Sequence, residues 1–476
     1  MFRKVLVANR GEIAVRIIRA LRELGISTVA VYSDKDKNSL HRLHADYSHP
    51  LNGNKAGQTY MNMEKILRIS LQENVDAVHP GYGFFAENAE FARMFEQNGI
   101  NFIGPDWETI ELMGNKIEAR RMVEKAGVPA VPGSTGSVES LDDALCVAGL
   151  IGYPLMIKAA AGGGGIGMKV IRNMEELLQG FKRVQEQAAN IFGDKSVFIE
   201  KYLDNARHIE CQILADKYGN IVHLGERECS IQRRHQKIIE ESPSPALDNE
   251  TRRKIGDAAV AVAKAVGYNS AGTVEFVLSE GKFYFLEMNT RLQVEHPVTE
   301  MLTGIDIVKT QIKIAAGMLL PFSQDKIGFR GHAIECRICA EDALNGFMPS
   351  PGKITGYHEP GGMGVRVDSG VHCGFEIPSY YDSMISKLIV WGENRKEAIE
   401  RMRRALCEYR IAGPKTKIFL DLQGYESGAK ILTSFFKREL AKFVVPELDS
   451  LGKKIIECCV CNGTLNDYIE LIPIKL

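Results

Sequence analysis

Short apolar runs alternate with amphipathic segments through the first hundred residues, and this alternation limits the possible folds more than any other feature of the chain. The sequence predicts strands at residues 4–8, 28–32 and 77–79, and the spacing of apolar positions at 13–24 and 63–72 predicts helices. Strands that alternate with helices form parallel sheets with helices packed on their faces. We therefore expect an N-terminal doubly wound α/β domain.

The pattern of elements changes further along the chain. A stretch rich in glycine and proline at 127–133 is typical of a boundary, and a smaller module with strands at 155–159 and 168–171 follows it. Beyond Gly331 the sequence predicts mostly strands and turns, apart from a strongly charged helix at 395–409. We therefore expect an α/β protein whose C-terminal domain is mostly β.

Charge and hydropathy exclude several classes of function. The 476-residue chain has a net charge of −1, so no overall field attracts nucleic acid or an anionic membrane. No run approaches the roughly 20 apolar residues that span a bilayer, and the apolar run behind the basic start is too short for a signal peptide. We expect a cytoplasmic protein that binds neither nucleic acid nor a membrane.

A glycine-rich loop connects the strands predicted at 155–159 and 168–171. Its glycines are Gly162, Gly163, Gly164, Gly165 and Gly167. Such loops let backbone N–H groups approach phosphate oxygens, but a Walker A or Rossmann loop would precede a helix, whereas this one joins two strands. We therefore expect a hairpin lid over phosphates, with a plain hairpin turn as the alternative. Lys158 and Lys116 are candidate phosphate contacts, or else solvated surface lysines.

The segments around Glu275 and Glu287 predict a hairpin that carries paired carboxylates. A three-residue loop at 280–282 would place these glutamates directly opposite each other with Asn289 on the same face, whereas a two- or four-residue loop would separate them. Facing carboxylates repel unless a cation lies between them, and oxygen ligands suit Mg²⁺ or Mn²⁺. The alternative is a surface hairpin with exposed glutamates, which the apolar neighbours disfavour.

The same strand face continues through Arg291, Gln293 and Glu295 if the chain stays extended to His296. A cation, an amide and a carboxylate in this order predict an anion pocket with a general base beside a metal. Arg337, on a later predicted strand, adds a further cation to the candidates. Its alternative role is that of an ion-paired or surface arginine.

A basic run at 232–237 contains Gln232, His235 and Lys237 together with two arginines. Clustered cations of this kind bind phosphate, and a solvated loop is the alternative. With the residues that precede it, the run fits neither a simple helix pattern nor a simple strand pattern.

Together these strings resemble the ATP-grasp superfamily and, within it, the biotin carboxylases. The matching strings are ANRGEIA at 8–14, HPGYGF at 79–84 with Glu87 and Asn88, the glycine loop, 226–237 and 287–296. The resemblance covers residues 1 to about 416. Strings of this length are far more specific than a lone glycine motif.

The resemblance implies roles at the matching positions. ATP and phosphate contacts would be Lys116, Lys158, Gly163, Gly164, Gly165, Gly167, His208, Gln232, His235 and Lys237. The adenine hinge would be Glu200, Lys201 and Leu203, the metal ligands Glu275, Glu287 and Asn289, and the bicarbonate cradle Arg291, Gln293 and Val294. Glu295 would be the base that deprotonates bicarbonate, and Arg337 the cation that stabilises the biotin enolate.

The implied activity is the ATP- and bicarbonate-dependent carboxylation of biotin through carboxyphosphate, with Mg²⁺ or Mn²⁺, by an ATP-dependent ligase. The family's carrier signature, a lysine between two methionines, does not occur in the sequence. We therefore expect biotin to arrive on a separate biotin carboxyl carrier protein. The resemblance also implies a homodimer and, as a further partner, a carboxyltransferase subunit.

The implied domains are an N-terminal biotin carboxylase domain at 1–113, an ATP-grasp domain at 114–317 with its lid at about 131–203, and a C-terminal domain at 330–440. The stretch 417–476 is an atypical tail, because the resemblance is lost after Thr416. Two alternatives stay open. One is another ATP-grasp carboxylate ligase, and the other is a catalytically impaired assembly subunit with an altered tail.

Overall fold

The computed structural model describes residues 1–159, 167–204, 206–233, 236–343 and 345–418. The helices are α1 Gly11–Glu23, α2 Leu40–His44, α3 Met63–Gln72, α4 Ala89–Gln97, α5 Trp107–Gly114, α6 Lys116–Lys125, α7 Leu141–Ile151, α8 Met174–Phe192, α9 Asn249–Ala265, α10 His296–Thr303, α11 Ile307–Ala315 and α12 Arg395–Glu408.

The strands of the first half are β1 Lys4–Val7, β2 Ser27–Tyr32, β3 Tyr47–Pro50, β4 Ala77–His79, β5 Asn101–Phe102, β6 Leu155–Ala159, β7 Met168–Ile171, β8 Val197–Lys201, β9 Arg207–Ala215, β10 Ile221–Arg233 and β11 Gln236–Ser242. Those of the second half are β12 Ser270–Ser279, β13 Lys282–Asn289, β14 His332–Cys339, β15 Glu341–Asp342, β16 Met348–Pro349, β17 Gly352–Lys353, β18 Gly356–His358, β19 Val365–Ser369, β20 Glu376–Ile377, β21 Met384–Gly392 and β22 Arg410–Ala412.

The N-terminal sheet is parallel, with the strand order β3-β2-β1-β4-β5. Successive residues of β1 point into two different cores: Val5 and Val7 pack with α1, whereas Leu6 packs with residues of α3 and α4. A strand that is buried on both faces requires helices on both faces of its sheet. This arrangement confirms the predicted doubly wound α/β domain.

A small antiparallel sheet, in the order β7-β6-β8, packs against α7 and α8. The glycine-rich loop connects β6 to β7 as predicted, and Ala159 N donates to Gly167 O at 2.9 Å where the loop closes. Gly167 adopts a φ of +73°, which glycine reaches without strain. The predicted phosphate contacts Gly163, Gly164 and Gly165 lie outside the described residues.

The largest sheet has the order β13-β12-β9-β10-β11-β14-β21-β19. The antiparallel pairing of β11 with β14, from Ile239 opposite Cys336 to Ser242 opposite Ala333, joins the segment expected to form the ATP-grasp core to the mostly-β C-terminal segment. Strands from before and after the predicted boundary at 317–330 thus belong to one continuous sheet. Side chains from both segments therefore meet on a single rigid surface.

The hairpin of β12 and β13 has a shorter loop than predicted. Ser279 pairs with Lys282, so the loop contains two residues rather than three. Glu280 and Gly281 have φ values of +50° and +74°, as a tight turn of the type I′ class requires. The expectation of a three-residue loop was wrong.

Glu275 nevertheless lies directly opposite Glu287, because the register shifts between this pair and the pairing of Phe276 with Phe285. The shift leaves Leu286 as an extra residue on β13, which is a β-bulge. One extra residue moves all later side chains of the strand to the other face. The bulge therefore restores the carboxylate pairing that a regular two-residue hairpin would have lost.

Gly370 marks a close approach between the C-terminal segment and the start of α1. A Cβ atom at this position would lie 2.5 Å from Glu12 N and 2.6 Å from the carbonyl carbon of Gly11. Atoms cannot approach so closely, and both neighbours are backbone atoms that no side-chain rotation can move. The glycine thus fixes how closely the two segments pack.

We predict that Gly370→Ala lowers the free energy of unfolding by about 1–3 kcal/mol, because overpacking forces the backbone to move. Urea denaturation followed by circular dichroism would measure the shift. Gly361→Ala is the matched control, since a Cβ there would meet nothing within 4 Å. Equal unfolding midpoints for the two variants would contradict the close packing.

Candidate active site

Lys237, on β11, lies at the centre of a buried group of charges. Its Nζ donates to Glu210 Oε2 at 2.5 Å, to Glu295 Oε1 at 2.6 Å and to Glu275 Oε1 at 2.9 Å. Burial alone would lower the pKa of Lys237, but the three carboxylates raise it well above its ordinary value. The ammonium therefore stays charged and holds together residues from β9, β12 and the start of α10.

Arg337, on β14, binds the other oxygen of Glu295. Its Nη2 donates to Glu295 Oε2 at 2.9 Å, and its Nε donates to Glu240 Oε1 at 2.6 Å. Burial opposes the ionisation of Glu295, but Lys237 and Arg337 hold its pKa below the ordinary range. Glu295 is therefore an ionised carboxylate, which is the form that can accept a proton.

Glu295 does not lie on an extended strand, contrary to the prediction. β13 ends at Asn289, and Glu295 is the N-cap residue of α10 with φ −82° and ψ 8°. Pro297 in the first turn favours a helix start at this point. The strand face therefore ends at Asn289, and the segment 290–294 turns to bring Glu295 back to Lys237.

The residues predicted to form the bicarbonate cradle lie in this turning segment. Arg291 donates to Glu87 Oε2 and to Asn289 Oδ1, both at 2.9 Å. Gln293 Nε2 donates to Glu275 Oε1 at 2.8 Å, which ties the segment to the hairpin of carboxylates. The segment carries Val294 directly before the predicted base.

The predicted metal ligands Glu275, Glu287 and Asn289 are close neighbours. Burial and the charge of Glu275 raise the pKa of Glu287. Two facing carboxylates beside an amide oxygen fit a divalent cation bound by oxygen ligands. Asn289 donates its amide to Glu275 at 2.9 Å and accepts from Arg291, so its oxygen would have to turn to bind a cation.

In the described part of the chain, two groups of His, Cys or acidic side chains bring three ligand atoms close together, and neither is the predicted set, which includes Asn289. They are His208 with Glu210 and Glu275, and Glu210 with Cys229 and Glu295. His208 Nε2 lies 3.1 Å from Glu275 Oε2; burial alone would lower the pKa of His208, but Glu275 raises it to about 9. A charged His208 and Lys237 therefore provide the positive charge beside Glu275 in this structure.

A cleft between α6, β6, β8 and β13 contains further predicted nucleotide contacts. Lys116, Lys158, Glu200 and Glu287 all line it, together with apolar side chains such as Phe198. Lys158 Nζ donates to Glu200 Oε2 at 2.5 Å, and burial lowers the pKa of Lys116. A cleft with an apolar side and two lysines suits a flat base joined to phosphates.

Other predicted nucleotide contacts lie around this cleft. The backbone N–H of Lys201 donates to Pro132 O at 2.7 Å, which anchors the predicted hinge at the end of β8, and Leu203 follows it half-buried. Gln232 lies near the end of β10 and donates to Cys229 O at 2.8 Å. The basic run thus belongs to the hairpin of β10 and β11, although its sequence fits no simple pattern, and His235 lies outside the described residues.

Sequence reasoning assigned no role to Arg227, a fully buried arginine on β10. Its guanidinium donates to Glu210 and, at 3.0 Å, to Gln293 Oε1. It also donates to Gln212, Thr273 and Thr299 at 2.7–3.0 Å. Arg227 therefore supports both a carboxylate that holds Lys237 and a predicted cradle residue.

Glu210 and Glu240 also received no role from the sequence. An isolated charged residue in a strand pattern is indistinguishable from a solvent-facing one. The one sequence feature that could have pointed to Arg227 is the string 226–237. This string matches the family, but the resemblance implied no role for Arg227. The assignments of the site residues stay predictions, although direct contacts link eight of them: Lys237, Glu275, Glu295, Arg337, Asn289, Arg291, Gln293 and His208.

Arg227→Met should lower the free energy of unfolding by about 3–5 kcal/mol, because it leaves Glu210 buried with less compensating charge. Urea denaturation would measure the loss. Arg253→Met is the control, since Arg253 and its partner Asp257 are both largely exposed on α9. We expect the control to change stability by less than about 0.5 kcal/mol. A loss no larger than that of the control would contradict the assigned role of Arg227.

Models of three protein domains match this chain in succession. The biotin carboxylase N-terminal domain matches residues 1–110, the carbamoyl-phosphate synthase L chain ATP-binding domain matches 115–323, and the biotin carboxylase C-terminal domain matches 335–427. A domain of unknown function (DUF4914) matches 410–472. The two biotin carboxylase models disfavour another ATP-grasp carboxylate ligase. No helix in the described ranges combines the length and the apolar character that crossing a membrane needs.

Curated relatives resemble the chain over most of its length. Biotin carboxylase 1 of Bacillus subtilis is 56% identical over 425 residues, which cover 89% of this chain and 94% of the relative. The biotin carboxylase of a Nostoc species is 54% identical over 418 residues, which cover 88% of this chain and 94% of the relative. Identity at this level over such coverage establishes common family membership.

Solved structures agree with these relatives. The biotin carboxylase domain dimer of Hydrogenobacter thermophilus 2-oxoglutarate carboxylase, in complex with MgADP, ADP and bicarbonate, is 49% identical with a TM-score of 0.89, covering 94% of this chain and 100% of that one. Biotin carboxylase of Campylobacter jejuni, in a β-γ-ATP complex, is 45% identical with a TM-score of 0.90, covering 92% and 99%. The chain belongs to the biotin carboxylase family of ATP-dependent ligases.

Proposed function

We propose that this protein uses ATP and bicarbonate to carboxylate biotin, the first half-reaction of a biotin-dependent carboxylase. One observation carries the proposal. The ionised carboxylate of Glu295 lies between Lys237 and Arg337, and Lys237 also contacts the predicted metal ligand Glu275. The proposed base, the proposed phosphate-binding cation and a proposed metal ligand are thus linked by direct contacts, which suits the transfer of phosphate to bicarbonate.

In the proposed reaction, Glu295 accepts the proton of bicarbonate, and the resulting carbonate oxygen attacks the γ-phosphorus of ATP as the bond to ADP breaks. The carboxyphosphate formed in this step then splits into CO₂ and phosphate. The ureido nitrogen of biotin loses its proton to the released phosphate and bonds to CO₂. Arg337 pairs with the ureido oxygen while that oxygen carries negative charge.

The chain's own cations have distinct parts in this scheme. Lys116 and Lys158 neutralise phosphate charge from the cleft side, and Lys237 meets the γ-phosphate beside the base. A divalent cation held by Glu275, Glu287 and Asn289 would neutralise the charge that develops on the transferred phosphate. The glycine-rich segment between β6 and β7 would cover the phosphates and exclude water from carboxyphosphate.

The proposed partners follow from the reaction. A biotin carboxyl carrier protein would present the ureido ring of biotin to Arg337, and a carboxyltransferase subunit would consume the carboxylated biotin. We further propose a homodimer, in line with the dimer of the Hydrogenobacter thermophilus relative. We also propose that the protein is located in the cytoplasm.

Glu295→Gln should reduce bicarbonate-dependent ATP hydrolysis in the presence of free biotin by about 100-fold or more, because general-base catalysis contributes roughly that factor. A coupled assay of ADP release would measure the rate, and the KM for ATP would reveal any loss of nucleotide binding. Glu64→Gln, which replaces an exposed glutamate of α3, is the control.

The outcomes of this assay separate the alternatives. Equal biotin-stimulated rates for Glu295→Gln and the unmodified protein would contradict the assignment of the base. No bicarbonate-dependent hydrolysis by the unmodified protein would contradict the proposed function and favour an impaired assembly subunit.

A further inference from the structure

Lys387, on β21, is a fully buried lysine that the proposed reaction does not use. Its Nζ donates to the backbone carbonyl of Val294 at 2.9 Å and lies 3.2 Å from Glu12 Oε1. Val294 is the residue directly before the predicted base, Glu295. A lysine is almost never fully buried without a specific partner. The Val294 carbonyl and Glu12 are the partners that hold Lys387 at this position.

The surroundings of Lys387 join three separate parts of the chain. Glu12 lies in the first turn of α1, and the hydroxyl of Tyr82 donates to the same Glu12 oxygen that faces the lysine. The Tyr82 ring centroid is 5.9 Å from the Lys387 ammonium. The chain of contacts therefore runs from Tyr82 through Glu12 and Lys387 to the backbone beside the base.

Lys387 is one of several charged residues on the same face of the large sheet. It pairs with Arg337 on β14 and with Asp368 on β19 in the strand register. Asp368 lies 3.9 Å from the lysine but is bound at two atoms by Arg366, at 2.7 and 2.9 Å. Asp368 is therefore neutralised without Lys387, whereas Glu12 relies on the lysine for its nearest positive charge.

The carbonyl groups of the turning segment are held one after another by side chains. Arg291 Nη1 donates to Leu292 O at 3.1 Å, the His296 ring contacts Gln293 O at 2.7 Å, and Lys387 holds Val294 O. A trans peptide is planar, so fixing a carbonyl also fixes the direction of the next N–H. Lys387 thus fixes the peptide from which the side chain of Glu295 begins.

We propose that Lys387 is a positioning residue for bicarbonate: through the Val294 carbonyl and Glu12 it holds the anion-binding segment and the base in register with Arg337, without touching the substrate. This inference rests on the proposed function. Loss of the Lys387 side chain should weaken the binding of bicarbonate. It should leave the nucleotide cleft intact, because that cleft lies on other elements. A purely structural lysine would instead affect stability and both substrates alike.

Lys387→Met should raise the KM for bicarbonate about tenfold or more, because the segment that binds the anion loses the charged donor that holds it in place. The KM for ATP should change less than about twofold, since the variant leaves ATP contacts in place. Steady-state ATP hydrolysis with each substrate varied in turn measures both constants. Lys396→Met, at an exposed position on α12, is the matched control and should leave both unchanged.

The single variant leaves the carboxylate of Glu12 buried without the lysine, so instability could hide its effect on bicarbonate. The double variant Lys387→Met/Glu12→Gln removes both charges while the new amide can still accept from Tyr82. We expect it to unfold at a higher temperature than Lys387→Met but to retain the raised KM for bicarbonate. Glu12→Gln alone keeps the contact to Val294 and should raise that KM less than either variant.

Three results would overturn the inference. They are a normal KM for bicarbonate in the double variant, equal increases in the KM values for both substrates, and a double variant that does not fold. The rate of bicarbonate-dependent ATP hydrolysis by the unmodified protein distinguishes a failure of this inference from a failure of the proposed function. If it shows no bicarbonate-dependent hydrolysis, the proposed function fails; if it does and Lys387→Met matches it, only the positioning role fails.

Discussion

Three buried carboxylates share the ammonium of Lys237, and the rest of the site depends on this contact. Carboxylates cannot be buried side by side unless cations compensate them, because desolvation and mutual repulsion both favour the neutral form. Lys237 supplies that charge at the centre, while Arg227 and Arg337 supply it at the edges. The site is therefore a balanced charge network into which phosphates and a cation would bring large new charges.

The eight-stranded sheet is what lets this network form. The hairpin that carries Glu275 and Glu287 lies at one edge, and β14, which carries Arg337, lies in the other half of the same sheet. Strands in one sheet keep fixed spacing and register, so the predicted metal ligands and the predicted biotin-facing cation are held at a constant separation.

The sequence was sufficient for the parallel N-terminal sheet, the glycine hairpin and the pairing of Glu275 with Glu287. The pairing was predicted from a loop length that proved wrong, because a bulge compensated for the missing loop residue. Bulges depend on tertiary packing and leave no clear local pattern. Glu295 was expected on a strand because the alternation of side chains was extended beyond Asn289. Such an alternation cannot show where the strand ends and the chain turns. Arg227 and Lys387 were missed because burial of a single charged residue is decided by distant partners.

The proposed reaction requires bicarbonate itself to attack ATP in this site. Incubation with ¹⁸O-labelled bicarbonate, ATP and biotin, followed by mass spectrometry of the released phosphate, tests it directly. We expect one ¹⁸O atom to pass from bicarbonate to phosphate for each biotin carboxylated, since carboxyphosphate splits at its C–O bond. Unlabelled phosphate alongside carboxylated biotin would contradict a direct attack of bicarbonate on ATP.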